Sequence, residues 1–333
     1  MEKVRKGIIQ YVSPGLLIAS EGRTLYRSRD GGKSWSKWLA LPISIGQQLM
    51  SLNRWTSRLF RNEIHHILKV QDDQFACFAF GKIYIIYAQK GTAEVIGTIK
   101  GSRPLVVCSD GSAIFYGEYK SNEARSRVLL HAYSLSEHQW STFCAFDDIR
   151  HIHGVFWDDY SQSLWVTTGD LDHESAIWQI RDGEPQPMVE GSQQARAVDL
   201  LFTEEAVFYA TDAPHDPNYI YRYDRETGQT EQLQQVGGPV FYGRKTGGRL
   251  FFSTVAEPSD INRTDAVELW RSGNEGDSWR KLKEFQKDIG HMKLFQYGQL
   301  KFPNGPGDGE YIWFTPYATK GDHRIMRIPL DEW

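Results

Sequence analysis

Cysteine, long apolar runs, helical periodicity and a surplus of either charge are all scarce in this 333-residue sequence. The three cysteines, Cys77, Cys108 and Cys144, are odd in number and each sits in or beside an apolar run. That pattern argues against a disulfide framework and favours a reducing compartment. No stretch approaches the ~18 apolar residues of a membrane-spanning helix. The N-terminus is basic from Met1 to Lys6 and fairly apolar from Gly7 to Ala19. Gln10, Ser13 and Pro14 interrupt that run, and no small-residue cleavage site follows, so a cytoplasmic location is expected, with secretion left open. Acidic residues number 42 against 38 basic, a formal net charge of −4. Nothing therefore draws the molecule as a whole to nucleic acid or to an anionic membrane. Only Ile43 to Arg61 has room for a helix or a long loop.

Short, aromatic-rich strands are abundant instead. Aromatic residues make up 13% of the chain, with eleven Trp, which suits many half-buried strands. One order of elements recurs: a strand after a polar turn, a second apolar strand, a variable loop, a third strand, a short turn and a weaker fourth strand. A clear copy runs Asp148 to Trp157, Ser163 to Thr168, Ala176 to Ile180 and Pro187 to Val189. The next runs Ala195 to Phe202, Ala206 to Thr211, Tyr219 to Tyr223 and Thr230 to Leu233. Alternation marks the strands, and clusters of Gly, Asp and Pro mark the turns. Phe156 and Phe202 are 46 residues apart, as are Arg150 and Arg196. A period of 40 to 50 residues with four strands each is the signature of a β-propeller. The expectation is a single all-β domain over 1–333, with seven blades at roughly 1–42, 43–99, 100–146, 147–190, 191–236, 237–286 and 287–333. Six blades with one long insertion is the alternative. The last segment shows three strands, and an N-terminal strand near Val4 to Tyr11 would complete it and close the ring, removing open edges.

Two turns carry a motif. Ser28-Arg-Asp30-Gly-Gly32-Lys-Ser34-Trp35 reads Ser-x-Asp-x-Gly-x-Ser-Trp, and Ser272-Gly-Asn274-Glu-Gly276-Asp-Ser278-Trp279 repeats it with Asn for Asp. The Asp or Asn oxygen accepts from amides further along, glycine supplies positive φ at the reversal, and the Trp buries its ring under the turn. The serines are 244 residues apart, five periods of about 49. Both stretches resemble the Asp-box (BNR) repeat of sialidase-like β-propellers. The resemblance implies that each box sits in a hairpin between strands three and four, on the rim and away from the active site. Sialidases also carry an early Arg-Ile-Pro motif; here the only such triplet is Arg327-Ile328-Pro329, at the C-terminal end. Sialidase-like propellers include glycosidases, polysaccharide lyases and non-catalytic factors, so the likeness does not choose a function.

In a propeller the first strand of each blade lines the channel. Residues entering strand one and leaving strand two fall at the same mouth. Strand two is left at Glu118-Tyr119, Asp170, Asp212 and Glu257; strand one is entered at Arg61, Arg150-His151, Gln194-Ala-Arg196 and His291. An acid recurs in equivalent places, with His and Arg opposite. Carboxyls, imidazoles and phenols supply proton transfer and arginine forks hold sugar carboxylates. Glu118, Tyr119, His151, Asp170 and Asp212 are the catalytic candidates. Arg150, Arg196, His153, Gln194, Glu257 and His291 are the candidates for holding substrate. His151 and His153 project from one side of a strand as two metal ligands would, but no third ligand stands at a recognisable spacing. No metal or cofactor is expected, and a histidine pair bracing neighbouring blades is the simpler reading. The expected activity is that of a glycoside hydrolase or polysaccharide lyase on an acidic oligosaccharide or polysaccharide. A non-catalytic propeller binding a glycan or a protein is the alternative.

Overall fold

The computed structural model describes residues 1–51, 53–257 and 259–331. Among them, seven four-stranded antiparallel sheets form a ring, a seven-bladed β-propeller. The innermost strands of blades I to VII are Ile8–Ser13, Ile64–Gln71, Val107–Ser109, His151–Asp158, Ala197–Phe202, Val240–Thr246 and Gln299–Lys301. The second strands are buried on both faces, because each blade packs against a neighbour on either side. Gln74–Ala79, for example, is buried along almost its whole length. The fourth strands alternate and face solvent, as in Gln139–Phe146. The cores are therefore wedges between blades rather than one central cluster.

An N-terminal strand completes the last blade and closes the ring, as expected, but with other bounds. The expected strand from Val4 to Tyr11 is split at Gly7, whose φ is +126°. Glu2–Lys6 pairs with Arg324–Pro329 as the outermost strand of blade VII, while Ile8–Ser13 opens blade I. A Cβ at Gly7 would lie 2.6 Å from the Ser20 carbonyl oxygen, so only glycine fits this crossing. Between blades I and II the Ile43 to Arg61 stretch forms two short helices, Ile45–Met50 capped by Ser44 and Arg54–Phe60 capped by Asn53. The second ends in Arg61, held left-handed at φ 50°.

Both Ser-x-Asp/Asn-x-Gly-x-Ser-Trp turns occupy hairpins between the third and fourth strands, of blades I and VI. Asp30 Oδ1 accepts from the Ser34 amide (2.9 Å) and the Ser28 hydroxyl (2.8 Å), and Asn274 Oδ1 does the same from Ser278 (3.1 Å) and Ser272 (2.9 Å). Each indole donates to a glycine carbonyl at 3.0 Å, Trp35 to Gly32 and Trp279 to Gly276. Trp279 is buried against Phe252 and Phe208, but Trp35 is only half-buried, under Arg5.

A device that nothing in the sequence announces recurs at the inner strands. In blades I, II, IV, V and VI the register slips near the start of the strand, leaving extra residues that include Gln10, His65, His153 and Phe241. Such a bulge re-aims side chains without breaking the sheet. Gln10 donates to the carbonyl of Ile64 (3.1 Å) and His153 Nδ1 meets that of Ala197 (3.0 Å), each the first residue of the next blade's inner strand. The bulged side chain thus ties one blade to the next.

Candidate functional site

The site is built where blades III, IV and V meet. Asp170 leaves the second strand of blade IV, Ser163–Gly169, and turns back across the start of the inner strand. Its Oδ2 lies 3.0 Å from Arg150 Nη1. Its Oδ1 lies 3.2 Å from Arg196 Nη2, 3.4 Å from His153 Nε2 and 3.6 Å from His151 Nε2. The two Nε2 atoms are 3.1 Å apart. Gly169 makes room for this: a Cβ there would stand 3.1 Å from His153 Cε1 and 3.3 Å from Arg196 Cγ.

The tautomers follow from the backbone. His151 Nδ1 is 3.0 Å from the Lys120 carbonyl oxygen and His153 Nδ1 is 3.0 Å from that of Ala197. A carbonyl only accepts, so both Nδ1 atoms carry hydrogen, and a neutral ring then presents a bare lone pair at Nε2. Burial pushes the His153 imidazole below its ordinary value. Burial alone would raise the Asp170 carboxyl, but its contacts with His151 and His153 outweigh that and hold it well below the usual carboxylate range. Asp170 is an anchored anion, unsuited to donate a proton.

Asp212 is the contrasting carboxyl. Burial pushes it up to about 7, against the pull of Arg196, whose Nη2 lies 3.5 Å from Oδ2; Glu257 and Asp170 add to the rise. Burial also raises Glu257, which is hydrogen-bonded to Tyr297. Tyr119 packs its ring 4.2 Å from that of His151 and lies within electrostatic reach of Asp170, Asp212, Arg103 and Arg61. Burial raises its phenol above the ordinary value.

The structure therefore brings together Tyr119, Arg150, His151, His153, Asp170, Arg196, Asp212 and Glu257. Three other candidates do not join them. Glu118 turns to Lys120 Nζ (2.7 Å) and His131 Nε2 (3.2 Å); burial would raise its carboxyl, but these partners outweigh that and lower it, which removes its motive as an acid. Gln194 is exposed on the 3-10 turn Gln193–Ala195, where its neighbour Gln193 donates to the Asp170 carbonyl (3.0 Å). His291 is exposed as the N-cap of the short helix Met292–Phe295. Arg150 and Arg196 also differ from expectation. They grip Asp170 from either side rather than standing free, and Arg150 Nη2 is engaged by Glu123 at 2.6 Å.

The sequence placed Arg61 at the mouth without making it a candidate, and it missed Arg103. Arg61 meets no carboxylate among the described residues, and Arg103 binds Gln296 Oε1 (3.0 Å) with Glu63 at 4.0 Å. Arg103 and Tyr297 precede the inner strands of blades III and VII, so the positional rule applied to every blade finds both. Below them the channel widens into a cavity of about 610 Å3 whose walls include His65, His66, Arg103, Asp199, Arg244 and Lys301.

No protein-family profile and no curated protein sequence matches this chain. Solved structures do. Oligogalacturonate lyase from Vibrio parahaemolyticus superposes with a TM-score of 0.65 at 12% identity, over 99% of this chain and 91% of that one. The extracellular domain of a hybrid two-component system from B. thetaiotaomicron gives 0.64 at 12% identity, over 98% of this chain but 39% of the other. A chain of the mitotic checkpoint complex gives 0.57 at 11% identity, over 99% and 91%. Identities this low share a fold, and the three proteins named do unrelated work.

Proposed function

We propose that this propeller binds an acidic oligosaccharide at the described mouth and cleaves it, by elimination rather than hydrolysis. The observation that carries the reading is the meeting at Tyr119 of two kinds of group: Arg61 and Arg103, and a carboxyl at Asp212 pushed up to about 7. The net charge of −4 gives an anionic sugar no global attraction, so its carboxylate needs local arginine forks. Neutralising that carboxylate acidifies the neighbouring C–H. Asp212, a carboxyl near neutrality, takes the proton from that carbon, and Tyr119, kept protonated by burial, gives its own to the departing glycosidic oxygen. Hydrolysis fits less well, because it asks a second carboxylate to act as nucleophile or base. Asp170 is held by two arginines and two imidazoles.

The likeness to oligogalacturonate lyase supports an acidic oligosaccharide as the substrate class, and the two Asp-box hairpins support kinship with sialidase-like propellers. The three unpaired thiols favour a reducing compartment. The test is a screen of purified protein on uronate oligosaccharides, following the ultraviolet absorbance of unsaturated ends and, separately, new reducing ends. Elimination raises both signals, and hydrolysis raises reducing ends alone. Arg103→Ala should raise KM and Asp212→Asn should lower kcat. Binding without turnover, weakened by Arg103→Ala, would make the protein a non-catalytic binder instead. Absence of both binding and turnover would reject the site.

A further inference from the structure

We propose that His151, His153 and Asp170 form a binding site for one divalent first-row transition-metal ion at the channel mouth. The inference rests on ligand geometry and does not depend on the substrate reading. The three facing atoms are His151 Nε2, His153 Nε2 and Asp170 Oδ1, separated by 3.1, 3.4 and 3.6 Å. A point equidistant from all three lies about 2.0 Å from each, close to the ~2.0–2.2 Å of metal–nitrogen and metal–carboxylate bonds. An ion at ~2.1 Å would sit less than about 1 Å out of their plane, leaving one side open to water or to a ligand oxygen.

The hydrogen count points the same way. Both Nδ1–H groups are given to backbone carbonyls, so each ring, when neutral, aims its Nε2 lone pair at the other and at a carboxylate oxygen. In that state three electron-rich atoms converge with no hydrogen among them. A cation at their centre removes the conflict. The surroundings match those that orient metal ligands: each imidazole donates its far N–H to a carbonyl, and the carboxylate is held by Arg150 and Arg196. Oδ1 has lone pairs enough to accept from Arg196 and still face the ion. Gly169 leaves the ring of His153 its place, since a Cβ there would press on Cε1 at 3.1 Å. Two imidazoles and one carboxylate select zinc, manganese, iron or cobalt over calcium or magnesium, which take oxygen ligands.

The experiment uses the whole chain, stripped with a chelator, and Mn2+, Co2+ and Zn2+ added one at a time without any sugar. One equivalent bound per chain and a rise in Tm are expected for at least one of the three. Asp170→Asn and His151→Ala, checked for fold by circular dichroism, should each weaken binding more than about tenfold. His153→Ala is avoided because His153 also ties blade IV to blade V. If either variant fails to fold, pulsed electron paramagnetic resonance of Mn2+ on the wild type decides: coupling to two imidazole nitrogens is expected. No uptake of any ion by the folded wild type, coupling to oxygen ligands alone, or uptake undiminished in both variants would overturn the site. Because sugar is absent throughout, failure here leaves the elimination reading standing, and the reverse.

Discussion

Two carboxylates in this ring look alike on paper and differ in one respect. Glu63, where the chain enters blade II, is buried among Lys301, Tyr317, His65 and Arg103; Asp170, in blade IV, sits among Arg150, Arg196, His151 and His153. At Glu63 the close partners bring hydrogens: the Lys301 ammonium at 2.5 Å and the Tyr317 hydroxyl at 3.0 Å. Burial would raise Glu63, yet Lys301 and His65 bring it down to about 2. At Asp170 two of the four neighbours present lone pairs. The first network is complete as it stands and holds the fold. The second has its guanidiniums on one side and, when the rings are neutral, two Nε2 lone pairs with no donor on the other, where the metal ion is proposed. Counting hydrogens, rather than charged residues, separates a structural cluster from a functional one.

Stability should divide along that line. Glu63→Gln leaves the Lys301 ammonium inside the ring without a counter-charge and should cost about 3–5 kcal/mol, the usual penalty for breaking a buried pair. Asp170→Asn, in a site open to the mouth, should cost clearly less by the same urea titration. A larger loss at Asp170 would break the distinction. Trp279→Ala removes an indole buried on two Phe rings and should cost ~3–5 kcal/mol. Trp35→Ala should cost less, because its ring is half in solvent, and thermal melts of the pair rank them.

A third carboxyl, Asp199 on the channel wall, accepts from the amides of Gly243 at 2.7 Å and Leu200 at 2.9 Å, and burial pushes it up to about 7 against these bonds and the pull of Arg244. Its folded value lies above the unfolded one, so the stability it contributes is present below about pH 4 and is lost as pH rises through 7. Asp199→Asn cannot titrate, so the variant should gain on the wild type as pH goes from 5 to 8. A difference in urea midpoints that stays constant over that range would show that Asp199 does not titrate there. The smallest effect is expected at Asp30→Asn, which copies the second turn, where Asn274 Oδ1 keeps both Oδ1 bonds and Nδ2 donates to the Ser278 hydroxyl; its Tm should not move measurably.

The blade count, the strand order and the hairpin position of both boxes were legible in the sequence, because each follows from local alternation, turn residues and a fixed period. Part of the site was legible too, since the ends of strands one and two share a mouth. Side-chain direction was not. Glu118 and Tyr119 are neighbours, yet Tyr119 reaches the His pair and Glu118 turns into its own blade, a choice set by the pleat where the strand is left. The third partner of the His pair, Asp170, lies beyond a strand reversal, so no linear spacing announces it. The inner-strand bulges that aim His65 and His153 leave no mark in composition. Gln193 and Gln194 differ by one position on a 3-10 turn, below the resolution of any pattern.

The pairing of Glu2–Lys6 with Arg324–Pro329 has a consequence in time. Glu2 lies opposite Arg327, so its partner is made some 325 residues later. At ~5–20 residues per second the first strand emerges from the ribosome roughly 15–65 seconds before that partner. Through that interval blade I lacks its wall as well, for Ile9, Val12, Leu17 and Ala19 are covered by Trp313 and Ile325. Six blades can zip in order behind the growing chain, but the first must hold an unpaired edge and an uncovered apolar face until the last is finished. Translation pauses within blades I to VI prolong that exposure, so the N-terminal blade is where stalled chains will aggregate.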